Sequence, residues 1–196
     1  MSLAKVVDQN ESLMKIVLSR GFSISNIRKG DEPAYISHLK EKQIHDQTLS
    51  IPYPYTKADA DWWVNHNLEL ESKHGDSFSW AIRQSDGSLI GGIGFAEYVP
   101  GQSHKAELGY WLAKPFWGTG IMSEAVQRVT AHAFERLNLN RVTAHVFTSN
   151  QGSIRVLEKS GYRREGHLRQ HYFKNGLFQD GFLYARLASD AKAQPS

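Results

Sequence analysis

Two hydrophobic periods organise the chain. From Phe78 the period is two: Phe78, Trp80 and Ile82 fall on one side, Asp86-Gly87 supplies a turn, and Leu89 to Phe95 resumes the apolar run. That pattern predicts a β-hairpin. A further stretch from Ala106 to Leu112, beyond the loop at Pro100-Gly101, extends it to an antiparallel meander over residues 78–112. The spacing then changes. Ala125, Val129, Ala133 and Phe134 recur at helical intervals behind Gly118-Thr-Gly120, so a helix opens directly after a strand. Arg141 to Phe147 reads as another strand and Asn150 to Lys159 as a short helix stopped at Gly161. Stretches at about 162–173 and 177–187 read as two closing strands.

Ahead of the meander, Phe22, Ile24 and Asn26 alternate with Ser23, Ser25 and Ile27, and Gly30-Asp31 turns into a helix start near Pro33. Ile51-Pro-Tyr-Pro-Tyr55 is a loop, because each proline restricts the residue before it. Thr56 then caps a second helix carrying Trp62, Trp63, Asn67 and Leu70 and ending near Gly75. Residues 1–21 show little periodicity, although Leu13, Ile16 and Val17 fit one helical turn on the domain edge. The expected organisation is an N-terminal extension over 1–21, one domain over 22–187 and a flexible tail over 188–196, with no internal repeat.

Composition removes whole classes of chemistry. A chain of 196 residues with 40% hydrophobic and 22% charged content is that of a globular domain, and no window approaches the ~18 apolar residues of a membrane span. Met1-Ser-Leu-Ala-Lys5 lacks the basic and apolar regions of a secretion signal, so a cytoplasmic location without membrane partners is expected. With no cysteine, disulfides, thiolate nucleophiles and Cys-ligated zinc are excluded. The net charge of +3 is spread among acidic residues rather than gathered in an arm, which argues against nucleic acid as a partner. Nine histidines, His38, His45, His66 and His74 among them, form no ligand pair backed by a third ligand, so no metal is expected.

The most informative stretch runs from Ala106 to Ala125. A strand ends at Leu112, a short loop with Gly118 and Gly120 follows, and a helix starts at once, leaving unpaired backbone N–H groups at its positive end. Such a junction suits a pyrophosphate, since glycines let the backbone approach closely. Two glycines alone favour a plain strand-to-helix turn. The G-x-G-x-x-G and Gly-Lys-Ser/Thr nucleotide patterns are both absent.

Glu107-Leu-Gly-Tyr-Trp-Leu112 followed by Trp117-Gly-Thr-Gly-Ile-Met-Ser-Glu-Ala125 resembles the acetyl-CoA-binding motif of the GNAT superfamily of N-acetyltransferases. Thr148-Ser-Asn-Gln-Gly-Ser-Ile-Arg-Val-Leu-Glu-Lys-Ser-Gly-Tyr162, about 30 residues on, is similar to the same family's Asn-x-x-Ser/Ala helix and Gly-aromatic step. Glu165-Gly-His-Leu-Arg169, Lys174-Asn-Gly176 and Asp180-Gly-Phe-Leu-Tyr-Ala-Arg-Leu187 resemble the ribosomal-protein N-terminal acetyltransferase branch. The likeness covers roughly residues 22–187. It implies an α+β fold: a mixed, mostly antiparallel twisted sheet of six or seven strands, about four helices, and a V-shaped cofactor cleft between Ala106–Leu112 and Arg141–Phe147.

The resemblance also implies acetyl-CoA as cosubstrate, held by Trp111, Leu112, Trp117, Gly118, Thr119, Gly120, Ile121, Met122 and Asn150. Trp117 and Met122 depart from the family's usual Gln/Arg and Gly/Ala, which puts side-chain contacts at those two positions in question. The reaction it implies is direct attack of a neutral amine on the thioester, which needs a base, an oxyanion donor and a proton for the departing thiolate. Glu107 matches the base position, acting directly or through water, and is otherwise an exposed strand carboxylate. An N–H near Trp111 or Leu112 matches the oxyanion donor. Leu157 stands where many members carry a tyrosine acid, so Ser153 is the donor candidate, or else only a helix cap; Asn150 holds pantetheine, or caps.

Tyr172 occupies a branch base position, where tyrosine is a poor base. The resemblance puts Tyr172, Tyr53 and Trp62 near the acceptor side, although aromatic residues on a helix are more often simply core. The acceptor is a protein N-terminal α-amine in one reading and a small amine (polyamine, amino acid or antibiotic) in another. A third reading is a non-catalytic acyl-CoA sensor. Dimers are common in the branch, so a homodimer is one expectation.

Overall fold

In a computed structural model, residues 15–192 are described; Leu13 and the first fourteen residues as a whole lie outside them, as do residues 193–196. Eight strands form one sheet in the order β1-β2-β3-β4-β5-β6-β8-β7. They are β1 (Lys15–Val17), β2 (Ser23–Asn26), β3 (Ser79–Arg83), β4 (Leu89–Ala96), β5 (Lys105–Leu112), β6 (Arg141–Phe147), β7 (Arg163–Lys174) and β8 (Leu177–Leu187). The helices are α1 (Glu32–Leu39), α2 (Lys42–Gln47), α3 (Lys57–His74), α4 (Ile121–Glu135), α5 (Gln151–Lys159) and α6 (Ala188–Lys192). The meander β3-β4-β5 and the strand Arg141–Phe147 stand where alternation put them.

Three elements differ from the sequence reading. Ile16 and Val17 belong to a strand rather than a helical turn, because Ile16 pairs with Ile24 of β2 and so adds an edge to the sheet. The sheet therefore starts at Lys15, inside the stretch read as an extension. The helical region after Pro33 is two helices, broken at Lys40-Glu41, where Glu41 turns extended (ψ 108°). Beyond β8 the chain makes the one-turn α6.

The sheet carries a core on each face. On one face, Trp80, Ile82, Ile93, Leu108 and Val142 pack under α4 and α5 with Ala125, Val126, Val129 and Leu157. On the other, Ala81 and Leu89 pack against α1 and α3 through Tyr35, Leu39, Ala60 and Val64. Helix α3 is held at both ends, by a Thr56–Asp59 capping box and by Gly75 in the left-handed region. A buried ion pair clamps α1 to the sheet: both Arg83 Nη atoms donate to Asp31 carboxylate oxygens at 2.7 and 2.8 Å. Asn26 O and Ser25 Oγ take further Arg83 protons, so the buried charge is fully satisfied.

All but one of the strand pairs are antiparallel. The exception positions the site: β5 and β6 run parallel and pair over only three residues, Lys105–Glu107 against Arg141–Thr143. Beyond Glu107 and Thr143 the two strands part, although β5 continues to Leu112 and β6 to Phe147. No helix among the described residues is long and apolar enough to cross a membrane.

Candidate active site

The gap between β5 and β6 is closed at its narrow end by their short ladder and opens toward the C-terminal ends of both strands. Two helices start there, α4 after β5 and α5 after β6. Parity along β5 decides which backbone groups face the gap. Ala106 O accepts from Thr143 Oγ1 of β6, while Ala113 N donates to Ile90 O of β4. Alternate residues share a side, so the amides of Leu108, Tyr110 and Leu112 face the gap and that of Trp111 faces β4. Of the two oxyanion candidates, Leu112 is therefore the one turned inward. The Trp111 side chain packs on the opposite core, with its ring 5.8 Å from Tyr35.

At the head of the gap the chain makes a single 3₁₀ turn, Lys114–Phe116, and then the glycine loop. Gly118 and Gly120 take φ of 74° and 86°, where a side chain costs backbone strain, and Gly120 is the N-cap of α4. The first amide to return to a helical carbonyl is Glu124 N, which donates to Gly120 O. From Gly118 to Ser123 the N–H groups have no acceptor among the described residues. Ile121 and Met122 bury their side chains in the core and offer only backbone to the outside. Thr119 Oγ1 donates to Phe116 O at 2.6 Å, tightening the loop from within. Trp117 is also turned inward, its indole N–H donating to Leu112 O at 2.7 Å. A fan of free amides at the start of a fifteen-residue helix is a donor set that fits a diphosphate.

At the start of α5, Asn150 Oδ1 accepts from Ser153 N at 3.0 Å, and Asn150 Nδ2 donates to Gln47 O and to Ser153 Oγ, both at 3.2 Å. The Asn150 amide is thus used within the chain, as a cap and as a tie to α2, and no free donor is left for a pantetheine arm. Ser153 Oγ accepts from that amide, so its own proton points elsewhere. Tyr110, from β5, donates to Ser153 O at 3.3 Å and fixes this turn against the gap. Leu157 is buried in the core.

On the α1–α3 face, at the narrow end, side chains from three strands converge. Glu107 Oε1 lies 3.0 Å from His145 Nδ1, both about three-quarters buried. The His145 ring stands 6.3 Å from Tyr172 and 6.4 Å from His171. Tyr172 lies against Gly181, where any Cβ would collide with its ring, and edge-on to Phe147 at 5.3 Å. Its hydroxyl is buried without a partner among the described residues. Burial, with the Glu107 carboxylate adding to it, pushes the Tyr172 phenol up to about 12.

A family model described as an acetyltransferase (GNAT) domain matches residues 22–163, well over half of the chain. The chain belongs to the GNAT acetyltransferase family. Among relatives, "Probable N-acetyltransferase YjcK" of Bacillus subtilis is 42% identical over 54% of this chain and 59% of its own length. The chain thus spans about three-fifths of the length of that relative. The "Ribosomal-protein-serine acetyltransferase" of Escherichia coli is 32% identical over 80% of this chain and 86% of its own. Among solved structures, Mycobacterium smegmatis RimJ in complex with CoA-disulfide superposes with a TM-score of 0.78 at 22% identity, covering 94% of this chain and 90% of that one. The fold of this GNAT domain is the one the motifs implied, with one strand and two helices more than the expected count.

The other residues expected on the acceptor side of this GNAT domain do not all gather at Glu107. Tyr53 is half-exposed, its ring 5.6 Å from His45, and His45 in turn reaches Asn175 at the β7–β8 turn, so Tyr53 does sit on the rim that this hairpin forms with α2. Trp62 instead faces solvent on α3 and stacks on His66 at 4.9 Å. Its neighbour Trp63 is the one that packs inward. His145 was not singled out from the sequence. Alternation along Arg141–Phe147 gives its face, but only the Glu107–Thr143 register brings it to Glu107. Among the described residues, no three His, Asp or Glu side chains group as metal ligands would.

Proposed function

We propose that this chain transfers the acetyl group of acetyl-CoA to a primary amine, and that the acceptor is the N-terminal α-amine of a protein. The observation that carries the reading is the parting of β5 and β6 after three paired residues, with partner-free amides at one end and the Glu107 carboxylate at the other. The amides of Gly118, Thr119, Gly120, Ile121 and Met122 would hold the diphosphate. Bound there, the cosubstrate supplies an acetyl group activated as a thioester.

The chain's own groups then have separate tasks. Glu107 takes the proton that the acceptor ammonium must lose; contact of Oε1 with His145 leaves Oε2 free for that purpose. The Leu112 amide, directed into the gap, is the donor for the acyl oxygen. Ser153 presents a hydroxyl proton for the departing sulfur, its lone pair engaged by Asn150. The Tyr172 hydroxyl, kept protonated, is a donor on the acceptor side rather than a base.

An α-amine on a polypeptide is favoured over a small amine by the name of the Escherichia coli relative, with the exposed Tyr53 ring, beside His45 and the β7–β8 turn, as a surface for the following residues. Thiol release from acetyl-CoA tests this, measured with peptides starting in serine or alanine, the same peptides with blocked N-termini, and spermidine. Release with free peptides alone is the expected result. Release with spermidine alone overturns the acceptor assignment, and CoA binding without release under any acceptor overturns the catalytic one.

A further inference from the structure

We propose that Arg20, on the turn between β1 and β2, is a positioning residue for the cofactor diphosphate, holding the Thr119–Gly120 peptide so that the Gly120 N–H faces the cleft. The inference rests on the acetyl-CoA reading above and adds to it a residue remote from the loop in sequence. Arg20 Nη2 donates to Thr119 O at 2.5 Å. A trans peptide is planar, with its carbonyl and N–H pointing in opposite directions. A donor fixed on Thr119 O from one side therefore holds the Gly120 N–H on the other.

That peptide is the one most in need of holding. It is followed by Gly120 at φ 86° and preceded, one residue back, by Gly118 at φ 74°, so little within the loop prevents it from turning over. Trp117, at the head of the loop, spends its indole N–H on Leu112 O and contributes nothing to this task. The turn that carries Arg20 is itself pinned to the helix the loop begins. Ser19 N and Ser19 Oγ donate to the two Glu124 carboxylate oxygens at 2.8 and 2.5 Å, and Glu124 lies in the first turn of α4. Loop and turn are thus tied at two points, one on each side of Gly120.

Arg20 bears a backbone cost for this placement. It sits at φ 57° and ψ 30°, a region glycine enters freely and other residues seldom do. Its guanidinium is exposed, uses one of its five N–H donors on the protein, and pairs with no carboxylate among the described residues. The charge stays beside the loop, with Nη2 3.8 Å from where a Cβ on Gly120 would be.

Titration calorimetry with CoA on the whole chain tests the assignment, with melting temperature measured alongside. Arg20→Gly relieves the left-handed backbone while removing the clamp, so it is expected to melt no lower than the parent and to bind CoA about tenfold more weakly. Arg20→Lys keeps the charge without the planar fork and should recover only part of the loss. CoA binding by Arg20→Gly within twofold of the parent overturns the inference. So does a loss of affinity that comes with a lowered melting temperature, which would make Arg20 a fold anchor only. A parent chain that fails to bind CoA overturns the acetyl-CoA reading itself, an outcome distinct from either.

Discussion

The two ends of the β5–β6 gap are built from different atoms. At the head, around residues 117–123, the groups proposed to act are backbone amides, and the side chains there are engaged within the chain: Trp117 with Leu112 O, Thr119 with Phe116 O, Ile121 and Met122 in the core. At the narrow end the groups proposed to act are side chains, gathered around Glu107, His145 and Tyr172, each from a different strand. A backbone site needs only glycines where φ turns positive, so it tolerates Trp117 and Met122 in place of the usual loop residues. A side-chain site depends on the register of three strands and changes with each residue.

Four substitutions press on that contrast. The largest effect is expected at the side-chain end. Glu107→Gln keeps the shape and the His145 contact but cannot accept the amine's proton, so turnover should fall by about 10²–10⁴-fold while CoA affinity stays unchanged. Stopped thiol release, with calorimetric CoA binding beside it, separates the two quantities; weakened CoA binding would show that the two ends are not independent. Gly120→Val attacks the other end. Nothing crowds the new Cβ, the nearest atom being Arg20 Nη2 at 3.8 Å, so the damage comes from a β-branched residue at φ 86°. Loss of one amide donor to a charged diphosphate is worth about 1.5–3 kcal/mol, or roughly ten- to a hundredfold in CoA affinity. Unchanged CoA affinity would remove the loop from the cofactor site.

Ser153→Ala comes next. The Asn150 amide loses one acceptor but keeps Gln47 O, and the cap onto residue 153 N survives, so the helix start should hold. Turnover is expected to drop about tenfold, with little change in CoA affinity. A variant with full turnover would leave Ser153 as part of the cap alone.

The same contrast explains what was legible from the sequence. The strand Arg141–Phe147 and the glycine loop announce themselves locally, one by alternation between Asn140 and Asn150, the other by two glycines between a strand and a helix. Ile16 and Val17 did not, since two adjacent apolar residues fit either period and the deciding pairing with β2 is tertiary. His145 was hidden for a similar reason, because its face means nothing until β6 is laid beside β5. Asn150 was read at the right place, but whether its amide reaches outward or back to Gln47 depends on α2, over a hundred residues away. Arg20 is the extreme case. Nothing near it in the chain points to Thr119, and only its positive φ and its reach across the fold do.

Tyr172 offers the smallest and most discriminating test, because the sequence puts a poor base at a base position and burial makes its phenol a still poorer one. A phenol pushed up to about 12 by burial, with Glu107 opposing its ionisation, remains neutral as pH rises past the ordinary tyrosine value near 10. The sign is therefore that of a donor present across the neutral and mildly alkaline range, not of a base that switches on. Tyr172→Phe should raise the acceptor's KM by about three- to fivefold, the range for one neutral hydrogen bond, and leave kcat nearly unchanged. The pH profile of kcat/KM between pH 6 and 10 should keep its shape and shift only in level. An alkaline inflection present in the parent and missing in Tyr172→Phe would mean that the phenol ionises within that window, which is incompatible with its burial beside Glu107 and would move the base role from Glu107 to Tyr172.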